Sequence, residues 1–204
     1  MNYSKVGVRE IIDGSVGEKN MILFINACVW DESRTKRLAD YLLSTMDEPV
    51  TEVRLIDEEF PVVDMRFLEK RDRLKECGDY SDPIFRWGKQ FALADTIVIA
   101  APYWDLSFPA VLKTYFEQIN VLGVTFDYSD TGIPRGLCKA KILYYITTSG
   151  GDFAPDEFGY GYVDALAKNY YGIRETKLIK ATGLDLLGAD PEKILKKCMD
   201  EMKI

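Results

Sequence analysis

The chain has 204 residues, a formal net charge of −7, 47% hydrophobic and 29% charged residues, and no histidine. That length suits one domain with a full core rather than two, and no apolar run approaches the roughly 20 residues that span a bilayer. An acidic chain without a long basic run is a poor binder of nucleic acid or anionic membrane. The absence of histidine removes Ser-His-Asp and Cys-His catalysis, His-metal ligation and any His proton relay.

Residues 1–20 precede the first strand as an extension, with neither an apolar signal core nor a small-residue cleavage site. Met21–Cys28 is a nearly continuous apolar run, read as a strand. Ser33–Met46 follows as a helix, with Leu38, Tyr41, Leu42 and Met46 at helical spacing. Val50–Leu55 alternates as a strand. Asp57–Asp79 is a long charged connection with room for a short helix around Met65–Leu74. Asp82-Pro83 reads as a helix start, with Asp as cap and Pro in the first position, leading into Ile84, Trp87 and Phe91 on one stripe. Thr96–Ala101 is the next strand, Pro109–Asn120 a helix and Lys141–Thr148 another strand. Glu157–Tyr170 reads as a helix, Lys177–Ala181 as a short last strand, and Pro191–Met202 as an amphipathic helix with Ile194, Leu195, Cys198 and Met202 inward. The charged stretches Glu69–Lys75 and Lys193–Lys197 read as solvated faces.

Five strands separated by helices imply an α/β domain, a doubly wound parallel sheet with helices on both faces. Strands buried on both faces are solidly apolar, and edge strands carry more polar residues. The first, third and fourth runs are the most apolar, and Val50–Leu55 and Lys177–Ala181 are mixed. That pattern fits the flavodoxin-like order 2-1-3-4-5 with the second and fifth strands at the edges. The six-stranded Rossmann order fits less well, and no GxGxxG occurs. Residues 21–204 are therefore expected to form a single domain.

In that order the carboxyl ends of strands one, three and four meet at one crevice, where ligands bind. The first of these loops, ACVWDESRT, brings Ser33, Arg34 and Thr35 to a helix N-terminus. Backbone N–H groups, two hydroxyls, the helix dipole and a guanidinium suit a phosphate. An ordinary Ser cap, stabilising by about 1 kcal/mol, accounts equally for Ser33. Asp31 and Glu32 oppose a phosphate unless they face solvent. The second loop, APYWDLSFP, places Tyr103 and Trp104 where a planar ligand would lie, or where aromatics cover a turn. The third, TTSGG, offers hydroxyls and a Gly pair that lets backbone approach a ligand, or forms a plain turn. A phosphate at the first loop and a flat ring across the other two describe FMN. With no histidine available, the cofactor would carry the hard chemistry.

The stretches FINAC, SRTKRLADYLL, AAPYWDLSFPAVLKTYFEQIN, GVTFDY, GLCKAKILYYITTSGG and YYGI resemble the flavodoxin-like FMN oxidoreductases, which include NAD(P)H:quinone reductases and FMN-dependent azoreductases. The likeness covers roughly residues 21–185. It implies a phosphate loop at Ser33, Arg34 and Thr35 with Cys28 beside it. It also implies an isoalloxazine loop at Pro102, Tyr103, Trp104, Asp105 and Leu106, and a pyrimidine-side loop at Thr148, Ser149, Gly150 and Gly151. The loop GVTFDYSDTGIPRGL, residues 123–137, reaches the active site at a homodimer interface in relatives. Phe126 and Tyr128 are thus candidates to flank the substrate beside Trp104, or else pack on their own domain. Phe153, Phe158, Tyr160 and Tyr162 wall the pocket or fill a dimer contact.

The resemblance further implies FMN bound, NADH or NADPH as donor, and a quinone, azo or nitroaromatic acceptor served by a ping-pong mechanism in a cytoplasmic homodimer. The catalytic chemistry would belong to the flavin and to no side chain, and no metal site is expected. A flavodoxin-type electron carrier serving a protein partner is the alternative, and a flavin-free binding module is a third class. The sequence departs from its relatives at Cys28, where they commonly carry Ser or Pro, and at Asp105, where Asn is frequent. A carboxylate there would disfavour a reduced anionic flavin and lower its potential. Trp104 and the missing histidine exclude the Tyr-His relay of the animal quinone reductases. The four cysteines are scattered with no CxxC pair, as free thiols would be.

Overall fold

The computed structural model describes residues 20–202. The expected extension therefore lies outside the described residues, apart from Asn20. Five parallel strands form the central sheet: β1 (Ile22–Asn26), β2 (Val50–Arg54), β3 (Thr96–Ala100), β6 (Ile142–Thr148) and β7 (Glu175–Ala181). Their spatial order is β2-β1-β3-β6-β7, the 2-1-3-4-5 order read from run polarity. Every residue of β1 is buried, whereas β2 keeps its first three residues in solvent. Central strands are covered on both faces and are mostly apolar, with buried polar residues kept to their carboxyl ends at Asn26, Thr147 and Thr148, while edge strands are free to carry charge.

One face is closed by α1 (Arg34–Ser44) and the final helix, α6 (Pro191–Asp200). Leu38, Leu42 and Leu195 there pack against Phe24, Val98, Tyr144 and Ile146. The other face carries α3 (Arg86–Leu93), α4 (Ala110–Ile119) and α5 (Tyr160–Leu166) over an aromatic layer of Trp87, Phe91, Tyr115, Phe116, Tyr145 and Tyr171. Each fully buried aliphatic side chain in these layers contributes about 1.5–3 kcal/mol.

The charged connection holds α2 (Met65–Glu76), started by Asp64, whose carboxylate accepts from the Phe67 N–H at 2.8 Å. Within α2, Arg71 departs from the expected solvated face. Its Nε and Nη1 are buried without a partner, and burial pulls its pKa down. Asp82-Pro83 starts a single 3₁₀ turn, Pro83–Phe85, and α3 begins only at Arg86. Pro109 caps α4 rather than opening it, because its fixed φ of −54° is paired with an extended ψ of 139°. The helix expected over Glu157–Tyr170 is shorter, starting at Tyr160 and ending in a π turn, Ala167–Tyr171.

A hairpin of β4 (Phe126–Tyr128) and β5 (Pro134–Gly136) joins α4 to β6 and was not anticipated, since three-residue strands are too short to show alternation. Because it follows a helix and precedes a strand, this hairpin lies at the amino ends of the strands. Gly136 packs directly on the backbone of Tyr171 and Gly172 there.

Candidate functional site

At the carboxyl end of the sheet, the loops after β1, β3 and β6 converge as expected. In the first loop, Ser33 is the N-cap of α1 and accepts from the Lys36 N–H at 3.4 Å. The fully buried Thr35 shares a 2.7 Å hydroxyl–hydroxyl bond with Thr148, which ties the first loop to the third. Cys28 is buried, and its backbone N–H donates to Asn26 Oδ1 at 2.9 Å. Burial pushes its thiol pKa up to about 11, although the Ser33 hydroxyl and Lys36 pull the other way. A thiol held protonated in this way is a poor nucleophile or redox centre. Asp31 is 86% exposed and paired with Arg54 of β2 at 2.6 Å, and Glu32 is exposed, so both acids face solvent.

The second loop is strained. Trp104 and Ser107 exchange backbone bonds, at 3.0 Å from the Trp104 N–H and 2.7 Å from the Ser107 N–H. The two residues between them, Asp105 and Leu106, have φ of 49° and 70°. Two successive positive φ angles are what a type I′ turn requires, and Gly or Asn normally supplies them. A Leu in this region costs about 1–2 kcal/mol. Such strain persists only where surrounding structure fixes it, and it marks functional loops. Here the Tyr103 N–H donates to the Thr148 carbonyl at 3.0 Å, and Ser107 Oγ donates to the Phe158 carbonyl at 2.6 Å. Trp104 and Leu106 remain exposed at the tip, while Pro102 is half-buried. Burial raises the Tyr103 phenol pKa, and its Oη is enclosed without a partner.

In the third loop, Ser149 donates its hydroxyl to the Gly151 carbonyl and its N–H to Ala181. The two glycines differ. A Cβ on Gly150 would collide with the Asp185 carboxylate, whereas a Cβ on Gly151 meets nothing within 4 Å. Gly151 therefore faces open space at the crevice. Thr147 Oγ1, at the end of β6, is buried without a partner. Phe153 is exposed beyond the loop, which Lys180 Nζ holds through the Ala154 carbonyl and Asp156.

A fourth segment, after β7, was missed by sequence reasoning. The N–H groups of Gly183, Leu184 and Asp185 donate to the carbonyls of Gly151, Ser149 and Gly150 at 3.1, 3.3 and 2.9 Å. Asp185 then reaches Arg34 at 2.8 Å. The only signal in the sequence was the run TGLD after the last strand.

Phe126 and Tyr128 are not brought to this crevice within one chain. Phe126 is buried at the opposite end of the sheet, packed edge-on against Tyr170 at 4.7 Å and Tyr128 at 5.6 Å. A shallow groove of about 410 Å3, lined by Pro61, Phe67 and Trp87 among others, shares no residue with the four loops. Among the described residues no cluster of acidic or thiol side chains has the makings of a metal site, and no helix is long and apolar enough to cross a membrane.

The fold and the crevice at its strand ends define a flavodoxin-type α/β protein, and comparison with known proteins agrees. A family model described as flavodoxin-like fold matches residues 20–203. An FMN-dependent NADH:quinone oxidoreductase of Coprothermobacter proteolyticus is 34% identical over 181 residues, covering 84% of this chain and 89% of that protein. The protein of the same name from Clostridium beijerinckii is 33% identical, covering 90% and 96%. The chain belongs to the flavodoxin-like family, on the branch of the FMN-dependent NADH:quinone oxidoreductases. An azoreductase structure from Bacillus anthracis superposes with a TM-score of 0.76 at 23% identity, covering 89% of this chain and 96% of that one. A Bacillus anthracis FMN-dependent NADH-azoreductase, solved in complex with FMN, gives 0.71 at 23% identity, covering 89% and 95%. At that identity the likeness is one of fold.

Proposed function

We propose that the chain is an FMN-dependent oxidoreductase that takes electrons from NADH or NADPH and passes them to quinone, azo or nitroaromatic acceptors. The observation that carries this reading is the hydrogen-bonded convergence of the three loops, through Thr35 with Thr148 and Tyr103 with Thr148. The donor set fits FMN. Ser33, Arg34 and Thr35 at the α1 N-terminus would hold the phosphate, where free N–H groups and the helix dipole favour a dianion. Pro102 to Leu106 would border the isoalloxazine; the Tyr103 and Trp104 N–H groups are taken by the Thr148 and Ser107 carbonyls, which leaves those of Asp105 and Leu106 to donate to it. Thr148 to Gly151 would border the pyrimidine edge, where the open cradle at Gly151 leaves room for it. Cys28 lies beneath the phosphate loop as packing.

When bound, FMN supplies the two-electron exchange between donor and acceptor. The protein's part would be to orient the ring between the second and third loops, with Trp104 exposed beside it. Donor and acceptor would use the same site in turn, a ping-pong order. NADH is the favoured donor, because the relatives named above carry NADH in their names.

A homodimer completes the reading. The hairpin lies at the far end of the sheet and Phe126 packs within its own domain, so its exposed Tyr128 would reach a crevice from a second copy. The exposed Phe153, Phe158, Trp104 and Leu106 offer apolar surface around the same loops. Residues 21–204 form one FMN-binding domain after the 1–20 extension. An NAD(P)H donor and four free cysteines suit the cytoplasm. Visible spectra of the purified protein before and after anaerobic NADH test the reading. Flavin bands that bleach support the enzyme, and bands that stay oxidised favour an electron carrier.

A further inference from the structure

The first loop is poorer in free positive charge than its sequence suggests. Arg34 is paired with Asp185, Lys36 with Asp40 at 2.7 Å and Arg37 with Glu192 at 2.6 Å. Arg54, the nearest cation from β2, holds Asp31. All four acids are exposed, Asp40 at 50%, Asp185 at 63%, Glu192 at 70% and Asp31 at 86%. Asp185 differs in its backbone. Its backbone N–H is bonded to the Gly150 carbonyl, and its carboxylate occupies the space that a Cβ on residue 150 would take. From that fixed place one oxygen takes Arg34 Nη2 at 2.8 Å, while Nη1 turns to the Leu184 carbonyl at 3.4 Å. The guanidinium at the proposed phosphate end is therefore paired with a carboxylate that belongs to the crevice wall.

We propose that Asp185 is a specificity-determining residue for the phosphate end of the cofactor, an internal anion that competes with a phosphate monoester for Arg34. This rests on the FMN reading above. A phosphate dianion approaching the α1 N-terminus meets the repulsion of Asp185 and must share Arg34 with it. The consequence is a cofactor held less tightly than the loops alone would hold it, with a smaller advantage of FMN over riboflavin than an unopposed Arg34 would give.

The test uses apoprotein of the full chain, titrated with FMN and separately with riboflavin, following flavin fluorescence quenching. Asp185→Asn keeps an oxygen acceptor for Arg34 and the shape of the side chain but removes the charge. Because the position is exposed, thermal melting of the apoprotein should be unchanged. We expect the Kd for FMN to fall about five- to tenfold, the size of removing one charge several ångströms from a dianion in a largely aqueous setting. Riboflavin affinity should stay the same, and the gain should shrink as salt rises toward about 1 M. An FMN affinity unchanged or weakened in Asp185→Asn would overturn the proposal, making Asp185 a residue that positions Arg34. Equal tightening of both flavins would also overturn it, because the effect would not lie at the phosphate. If the unaltered protein quenches neither flavin, the FMN reading itself fails and takes the proposal with it.

Discussion

The two ends of the sheet are built by opposite rules. At the amino end, the β4–β5 hairpin is stapled to the end of the π turn. Gly136 lies on Tyr171 and Gly172, Phe126 stacks on Tyr170, and the buried Tyr171 hydroxyl finds Asn120 at 2.8 Å. At the carboxyl end, two non-glycine residues stand at positive φ, Trp104 and Phe153 stay in solvent, and the hydroxyls of Tyr103 and Thr147 are enclosed without partners. The amino end closes these contacts, although Ile133 and Tyr128 of the hairpin stay exposed. The other keeps strain and unused donors, the signature of a surface shaped for something other than its own stability.

Substitutions at each end should therefore separate stability from binding. The largest effect is expected at the amino end. Gly136→Val forces a branched side chain into backbone, and we expect a loss of about 3 kcal/mol or more. In a domain of this size that lowers the thermal midpoint by roughly 10 °C, read by circular dichroism. Its carboxyl-end counterpart is Gly151→Val, which meets open space in the protein. Here the melt should hold while FMN affinity drops about 100-fold or more. Undiminished flavin content in that variant would remove Gly151 from the site.

A smaller effect is expected in the opposite direction at Leu106. Leu106→Gly relieves a left-handed leucine at the cost of a freer unfolded chain, and we expect the apoprotein to gain about 0.5–1 kcal/mol. A destabilised variant would mean the turn is not strained. The smallest effect concerns Cys28. With its pKa near 11 it is roughly 0.1% thiolate at pH 8, so iodoacetamide should label exposed Cys77 and leave Cys28 untouched. The same shift has a linkage consequence. The folded state keeps its Cys28 proton more tightly than the unfolded state. Stability from this group is therefore complete below about pH 9 and is lost as pH rises toward 11.

The architecture was legible because burial on two faces leaves a compositional mark. The solid runs of β1, β3 and β6 against the mixed β2 and β7 were enough to order the sheet. The three loops followed from that order, since strand ends must meet where the winding reverses. The features that escaped have no local mark. Asp-Leu carries no signal for positive φ, because the turn is imposed by bonds to Thr148 and Phe158 rather than by its own residues. Asp185 lies 151 positions from the arginine it holds. The hairpin's placement at the amino end depends on counting elements; packing of Phe126 on its own domain was one of its two readings, but Tyr170 as the partner was not legible.

The central claim is that these loops cradle FMN so that an NAD(P)H donor can reach it. The most direct measurement is the visible spectrum of the FMN-reconstituted protein under anaerobic conditions, recorded before and after one equivalent of NADH. We expect flavin bands that are present at the start and bleach on mixing. A protein that stays colourless after incubation with FMN and gel filtration would contradict the claim.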